Sequence, residues 1–172
     1  MKKVAEFEKV SFEQFLKDWI DTFGDYKKEN VLNIYENIKL PKRATKGSAG
    51  HDISIPFEIS VASGCNLKIP TGIRCNMDDE YVMLIFPRSS LGIKKGIRLL
   101  NTTAVIDSDY FHADNEGHIF ICLKNTSSEV VKFNAGDNIV QAVFVPFGTA
   151  DTEEVTTERV GGMGSTTIQD RR

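Results

Sequence analysis

The chain has 172 residues, 41% hydrophobic and 26% charged, a composition that suits one globular domain with a sizeable core. A formal net charge of −3 and a pI near 5.7 argue against a general nucleic-acid binder, which shows a basic face, yet leave room for a local basic pocket for one polyanionic small molecule. No apolar run approaches the roughly 20 residues of a membrane span, and MKKVAEFEKV has no apolar signal core after its lysines, so the expected location is cytoplasmic.

The first predicted element is a helix. Ser11 is its N-cap, Gln14 a capping-box partner, and Val10 with Phe15 a hydrophobic staple. Phe12, Phe15, Leu16, Trp19, Ile20 and Phe23 recur on one helical face, and Gly24 is a natural stop. Such a stripe can contact a partner, but packing on its own domain is the usual fate of an amphipathic face. Val31, Ile34, Tyr35 and Ile38 permit a short second helix within 27–38.

From Leu40 onward the pattern changes to short apolar runs separated by turn residues: ISIPFEISV, CNLKIPTGIRC, EYVMLIFP, GIRLL, HIFICLK and VVKFNAGDNIVQAVFVPF. Spacing of about ten residues with Gly, Asn, Asp and Pro between runs predicts an all-β sandwich or jelly roll. The strand HIFICLK is apolar on both faces, which suits a double-sheet core or burial between subunits. After Phe147 the core pattern fades into a polar, glycine-rich tail expected to be a flexible arm. The chain therefore divides into a helical extension (1–39), a β core (40–148) and an arm (149–172). Cys65, Cys75 and Cys122 are an odd set without metal-ligand spacing and read as buried free thiols.

Several segments carry groups suited to chemistry. In Asn101 to Asn125 two apolar runs flank a polar loop, which reads as a β-hairpin with Asp107 and Tyr110 at the exit of its first strand, in a segment too polar for a core. The carboxylate can activate a water while the ring packs on a ribose or base. Asp also favours turns and Tyr sheet edges, so this pair alone decides nothing. Gly50-His51-Asp52 places an acid at a strand entrance, where it can orient a metal-bound water or simply serve a turn. Pro87-Arg88-Ser89-Ser90 reads as a turn offering a planar cation, two hydroxyls and backbone amides, which together suit a phosphate. Gly136-Asp137-Asn138 reads as a tight turn into a strand with one polar residue, Gln141, inside it. A buried Gln requires partners, and a phosphate oxygen, a metal-bound water or a neighbouring loop could supply them. Arg159 to Thr166 reads RVGGMGST, in which glycines let the backbone approach a phosphate and hydroxyls follow.

Taken in order and spacing, five segments resemble the motifs of the trimeric dUTP pyrophosphatase (dUTPase) family: 49–53, 87–90, 105–110, 136–141 and 159–166. The resemblance spans Leu40 to Thr166. It implies a mostly β, jelly-roll (β-clip) subunit, here with an extra N-terminal amphipathic helix. It also implies a homotrimer with sites between subunits, each closed by the C-terminal arm. The implied reaction is dUTP and water giving dUMP and pyrophosphate. Asp107 would be the general base. Arg88, Ser89, Ser90 and Gln141 would hold phosphate oxygens, with Arg88 and Gln141 counted among the catalytic groups. Asn101, Val105 and Ile106 would read the uracil edge, and Tyr110 would exclude a 2′-hydroxyl. Arg159, Gly162, Met163, Gly164 and Ser165 would close over the substrate. Mg²⁺ would sit on the triphosphate, reached by Asp52 through water.

Two positions depart from the family pattern. Asn138 stands where the fourth motif usually has Arg, and Met163 where the fifth has a uracil-stacking Phe. Phe111, His118 or Phe120 could supply an aromatic instead. The loop Phe111 to Gly117 is longer than usual and is similar to forms from low-GC Gram-positive bacteria and their phages. One rival reading is dCTP deaminase, which shares the fold but uses a glutamate on the strand after the third motif, where HIFICLKN has none. Another is a binding module of the same fold that has lost catalysis. Neither a nucleic-acid nor a membrane partner is expected.

Overall fold

The computed structural model describes residues 2–24, 27–151, 159 and 161. In chain order the elements are β1 (Ala5–Lys9), α1 (Phe12–Phe23), α2 (Lys28–Glu36), β2 (Lys42–Arg43), β3 (His51–Ser54), β4 (Ile59–Val61), β5 (Asn66–Pro70), β6 (Ile73–Met77), β7 (Tyr81–Pro87), α3 (Ser89–Lys95), β8 (Ile97–Leu99), β9 (Ala104–Ile106), a 3₁₀ segment (Ser108–His112), β10 (Phe120–Asn125), β11 (Val131–Phe133) and β12 (Asn138–Pro146). Every strand pairing is antiparallel. A five-stranded sheet runs β2-β3-β12-β7-β9, a three-stranded sheet β5-β10-β8, and two smaller pairs are β1-β6 and β11-β4. The mostly β architecture with an N-terminal helix follows the pattern read from the turns.

Ile53, Ile69, Ile73, Met83, Ile85, Ile97, Ile121, Leu123 and Ile139 form the centre of one core. Strand β10 is buried at Phe120, Ile121, Leu123 and Asn125 within a single chain, which explains its apolar character on both faces.

The helix α1 packs on its own domain. Phe15 is fully buried, and Phe12, Leu16 and Trp19 lie against the core. Ser11 Oγ accepts from Gln14 N–H at 3.1 Å, and Gly24, with φ 76°, closes the helix by donating to Ile20 O. Burial of an aromatic of this size stabilises by about 1.5–3 kcal/mol.

Several sequence expectations are corrected. The first 39 residues are not purely helical, because β1 pairs with β6 in register from Ala5↔Met77 to Lys9↔Ile73. Gln14 does not complete a capping box. Its amide donates to Asp18 instead, and the Glu116 carboxylate takes both Ser11 N–H and Ser11 Oγ–H. The runs around Asn101–Asn125 do not form one hairpin, since β9 pairs with β7 while β10 lies between β5 and β8. The segment after Arg88 is a short helix, α3, rather than a turn. Of the cysteines only Cys75 is buried. Burial pushes its thiol up to about 12, whereas Cys65 is exposed and Cys122 half-buried.

Candidate functional site

The predicted site residues fall into two groups. The first gathers around Asp52 on β3. In the β3–β12 ladder Asp52 lies opposite Gln141, so both side chains leave the same face of the sheet. Asp52 Oδ1 sits 3.5 Å from Arg88 Nε, and Asp52 Oδ2 accepts from Asn138 Nδ2 at 3.3 Å. Arg88 caps β7 and leads into Ser89 and Ser90, both exposed at the start of α3. The approach is tight: a Cβ at Gly50 would lie 2.4 Å from Gln141 Oε1 and 3.2 Å from its Cβ, so a larger residue there would displace the Gln141 side chain from its present position. Gln141 is only partly buried, so it stands at the surface of this group rather than inside the core. Asn138 is neutral where a cation was expected, yet it still faces the Asp52 carboxylate.

The second group lies at the end of β9. Ala104 and Ile106 point inward while Val105 is 60% exposed. Asn101 is exposed in the preceding turn, which Thr102 rounds with a φ of 63°. Asp107 is followed by the 3₁₀ segment. Arg159, from the C-terminal stretch, donates through one terminal nitrogen to Asp107 Oδ2 at 2.5 Å and through Nε to Asp109 Oδ1 at 2.8 Å. Its guanidinium carbon lies 5.7 Å from the Tyr110 ring centroid. In this chain the fifth-motif arginine thus holds third-motif acids. Gly162, Met163, Gly164 and Ser165 lie outside the described residues.

Tyr110 corrects the expectation of a polar, core-free segment. It is 4% exposed, its hydroxyl donates to His118 O at 2.7 Å, and Asn115 Nδ2 donates to that hydroxyl at 2.8 Å. Burial raises the pKa of the Tyr110 hydroxyl. The hydroxyl is thus engaged inside the protein, and the residue as a whole presents almost no surface to solvent. Two proposed substitutes for the stacking aromatic are excluded in this conformation. His118 is fully buried, and Phe120 is buried with Lys68 Nζ 4.0 Å from its centroid. Phe111 is half-buried under Arg74, 4.3 Å from its centroid.

The two groups sit at opposite ends of β7. Ile106 pairs with Met83, which places Asp107 beside the start of β7, whereas Arg88 follows its last residue, Pro87. From Val82, the next position along β7, to Arg88 is six residue steps, roughly 20 Å at about 3.3 Å per residue. Among the described residues no hydrogen bond or ion pair joins the two groups.

Sequence reading gave Ser11 and Gln14 only capping roles and His118 only a stacking one, and did not foresee that they join Asp18 and Glu116 in one network beneath the second group. Asp18 was a visible signal, an acid three residues after Phe15 on the apolar face of α1. Glu116 was not, because its partner Ser11 is 105 residues away.

Known proteins resemble this chain in sequence and in fold. The dUTPase family profile matches residues 36–167. The deoxyuridine 5′-triphosphate nucleotidohydrolase of Lactococcus lactis is 43% identical over 141 residues, covering 79% of this chain and 94% of that protein. Its counterpart from Dinoroseobacter shibae is 38% identical over 143 residues, covering 76% and 89%. The crystal structure of Streptococcus mutans dUTPase superposes with a TM-score of 0.65 at 35% identity, covering 84% of this chain and 98% of that one. The dUTPase of phage phi11 of Staphylococcus aureus has the same fold, with a TM-score of 0.63 at 20% identity over 90% of this chain and 97% of that one. The β scaffold, the order of the motifs and these relatives together place the chain in the dUTPase family.

Proposed function

We propose that this protein hydrolyses dUTP to dUMP and pyrophosphate, in sites shared between subunits of a homotrimer. The relatives' activity supports the reaction, and the separation along β7 supports the shared site. A general base must lie within hydrogen-bond reach of the water it activates. Phosphate ligands some 20 Å from Asp107 in the same chain cannot hold the phosphorus that this water attacks. The Asp107 group of one subunit and the Arg88 group of another can.

In the assembled site Asp107 takes a proton from the water attacking the α-phosphorus. Arg88, Ser89, Ser90 and Gln141 hold phosphate oxygens, so catalysis is mainly positioning and electrostatic stabilisation. Val105 and Asn101 are exposed, where Asn101 and the backbone near Val105 can read uracil, and the buried Tyr110 would support the floor of the sugar site from beneath. Mg²⁺ fits this donor set. Among the described residues no cluster of three or more His, Cys, Asp or Glu forms a metal cage, but Mg²⁺ on a triphosphate needs only one or two carboxylates and keeps its waters. Asp52 is the acid placed for that role, and the ion when bound would neutralise triphosphate charge. A dUTPase structure from phage phi11 contains a structural Mg(II) ion, which agrees with use of this metal.

Deamination of dCTP is disfavoured. Strand β10 carries no glutamate, and Glu116, which precedes it, has both carboxylate oxygens engaged by Ser11. Incubation with dUTP and dCTP separates the readings. Pyrophosphate from dUTP is expected, ammonia from dCTP would indicate the deaminase, and no turnover of either would indicate a binding module.

A further inference from the structure

We propose that the N-terminal helix is part of the catalytic apparatus: Ser11 and Asp18, through Glu116 and His118, position the segment that carries Asp107 and Tyr110. The inference rests on the assignment of Asp107 and Tyr110 to the dUTP site. Four observations carry it.

The loop after Tyr110 returns to the core by a strained path. Glu116 has φ 57° and Gly117 φ 69°. Both lie in the left-handed region, which costs little at glycine but more at a glutamate. Gly117 is pressed so closely on the 3₁₀ segment that a Cβ there would lie 2.7 Å from Tyr110 O and from Phe111 Cα. A non-glycine residue keeps such a conformation only where its surroundings over-determine it.

What holds Glu116 there is the start of α1. Its Oε2 accepts Ser11 N–H at 2.7 Å and its Oε1 accepts Ser11 Oγ–H at 2.6 Å. These bonds to an ionised acceptor are the strong kind, and they replace the capping box that Gln14 does not make.

A second tether follows two residues later. Gly72 N–H donates to His118 Nε2 at 2.7 Å, so the ring proton resides on Nδ1 and is donated to Asp18 Oδ2 at 2.5 Å. Gln14 Nε2 donates to the same oxygen at 2.8 Å. The imidazole is thus fixed at both nitrogens.

The tethers converge on Tyr110. Its hydroxyl donates to the carbonyl of His118, the residue whose side chain Asp18 holds. The 3₁₀ segment closes with Tyr110 N–H donating to Asp107 O at 3.2 Å. From Asp18 to Asp107 the chain of contacts is therefore continuous: carboxylate, imidazole, backbone carbonyl, phenol, backbone amide, base.

Misplacement of a reacting group by about 1 Å can cost roughly 10²-fold in rate. The test compares Asp18→Ala with Asp18→Asn and Glu116→Ala with Glu116→Gln in the full chain, reading kcat and KM for dUTP at 25 °C beside the melting temperature. Each amide variant keeps one acceptor oxygen: Asn can still receive both His118 and Gln14, and Gln can still receive Ser11 N–H. The alanine variants are expected to lose at least about tenfold in kcat with KM within about threefold, a split that marks an interaction made at the transition state. The amide variants should recover most of the rate. A kcat within twofold of wild type in either alanine variant would overturn the proposal, as would amide variants that regain melting temperature without regaining rate. Should Asp18→Ala fail to fold, the Glu116 pair decides alone. Asp107→Asn in the same assay separates the two levels. If it retains turnover, the site assignment fails. If it is inactive while both alanine variants turn over normally, only the role of the helix fails.

Discussion

At the scale of single residues the central question is the proton acceptor. Asp107→Asn keeps the shape of the side chain but cannot accept a proton at neutral pH, and loss of a general base typically costs about 10²–10⁴-fold. We expect nucleotide binding to persist and turnover to fall by that amount in steady-state assays of pyrophosphate release. A rate above about a tenth of wild type would place the base elsewhere. Glu116 gives a second, pH-dependent expectation. Burial pushes its carboxyl upward, but the two bonds from Ser11 and the charge of Arg74 outweigh this and leave it below its ordinary 4.5. A carboxyl depressed in the folded state contributes stability that is complete above its unfolded value and is lost as pH falls through the folded one. The melting temperature should therefore decline below about pH 4.5, and more gently in Glu116→Gln. Identical acid profiles would show that the Ser11 contact is not held by an ionised carboxylate. None of this was legible locally, because a glutamate before a glycine reads as loop and its partner lies in another element.

At the scale of elements, α1 is where sequence and structure agree best and also where the agreement is incomplete. The apolar stripe, the Ser11 cap and the Gly24 stop are properties of a few consecutive residues, so a local reading finds them. Strand β1 escaped because AEFEK is short and mostly charged, and its partner β6 is more than sixty residues away. The supposed hairpin over 101–125 failed for a related reason. Alternation identifies strands, but which sheet each joins is fixed by contacts remote in sequence. Phe15 has no exposed surface and touches Trp19, Tyr35 and His118. Phe15→Ala should cost about 3–5 kcal/mol, measured by urea unfolding. A loss below about 1 kcal/mol would mean that α1 is loosely attached to the core. The clustering of Asp52, Arg88 and Gln141 was the most legible part of the candidate site, since each stands in a compact run at a strand end and the β3–β12 ladder and an ion pair bring them together.

At the scale of the whole molecule, the exposed Val105, Leu100 and Phe147 and the proposed division of the site between subunits both point to assembly. Light scattering should give a mass near three times 19.2 kDa, and an active species at the single-chain mass would contradict a shared site. The placement of Asp107 and Arg88 at opposite ends of β7 has a genetic consequence as well. Two chains, each disabled by one substitution, are defective in different halves of every site. An Asp107→Asn subunit still donates a sound phosphate-binding half, and an Arg88→Ala subunit still donates a sound base. If the two are unfolded together, mixed and refolded, random association would leave about one site in four with both halves intact. Two inactive preparations would then yield an active one. Were each site built within a single chain, no mixture could recover anything, because every subunit would carry its own defect into its own site.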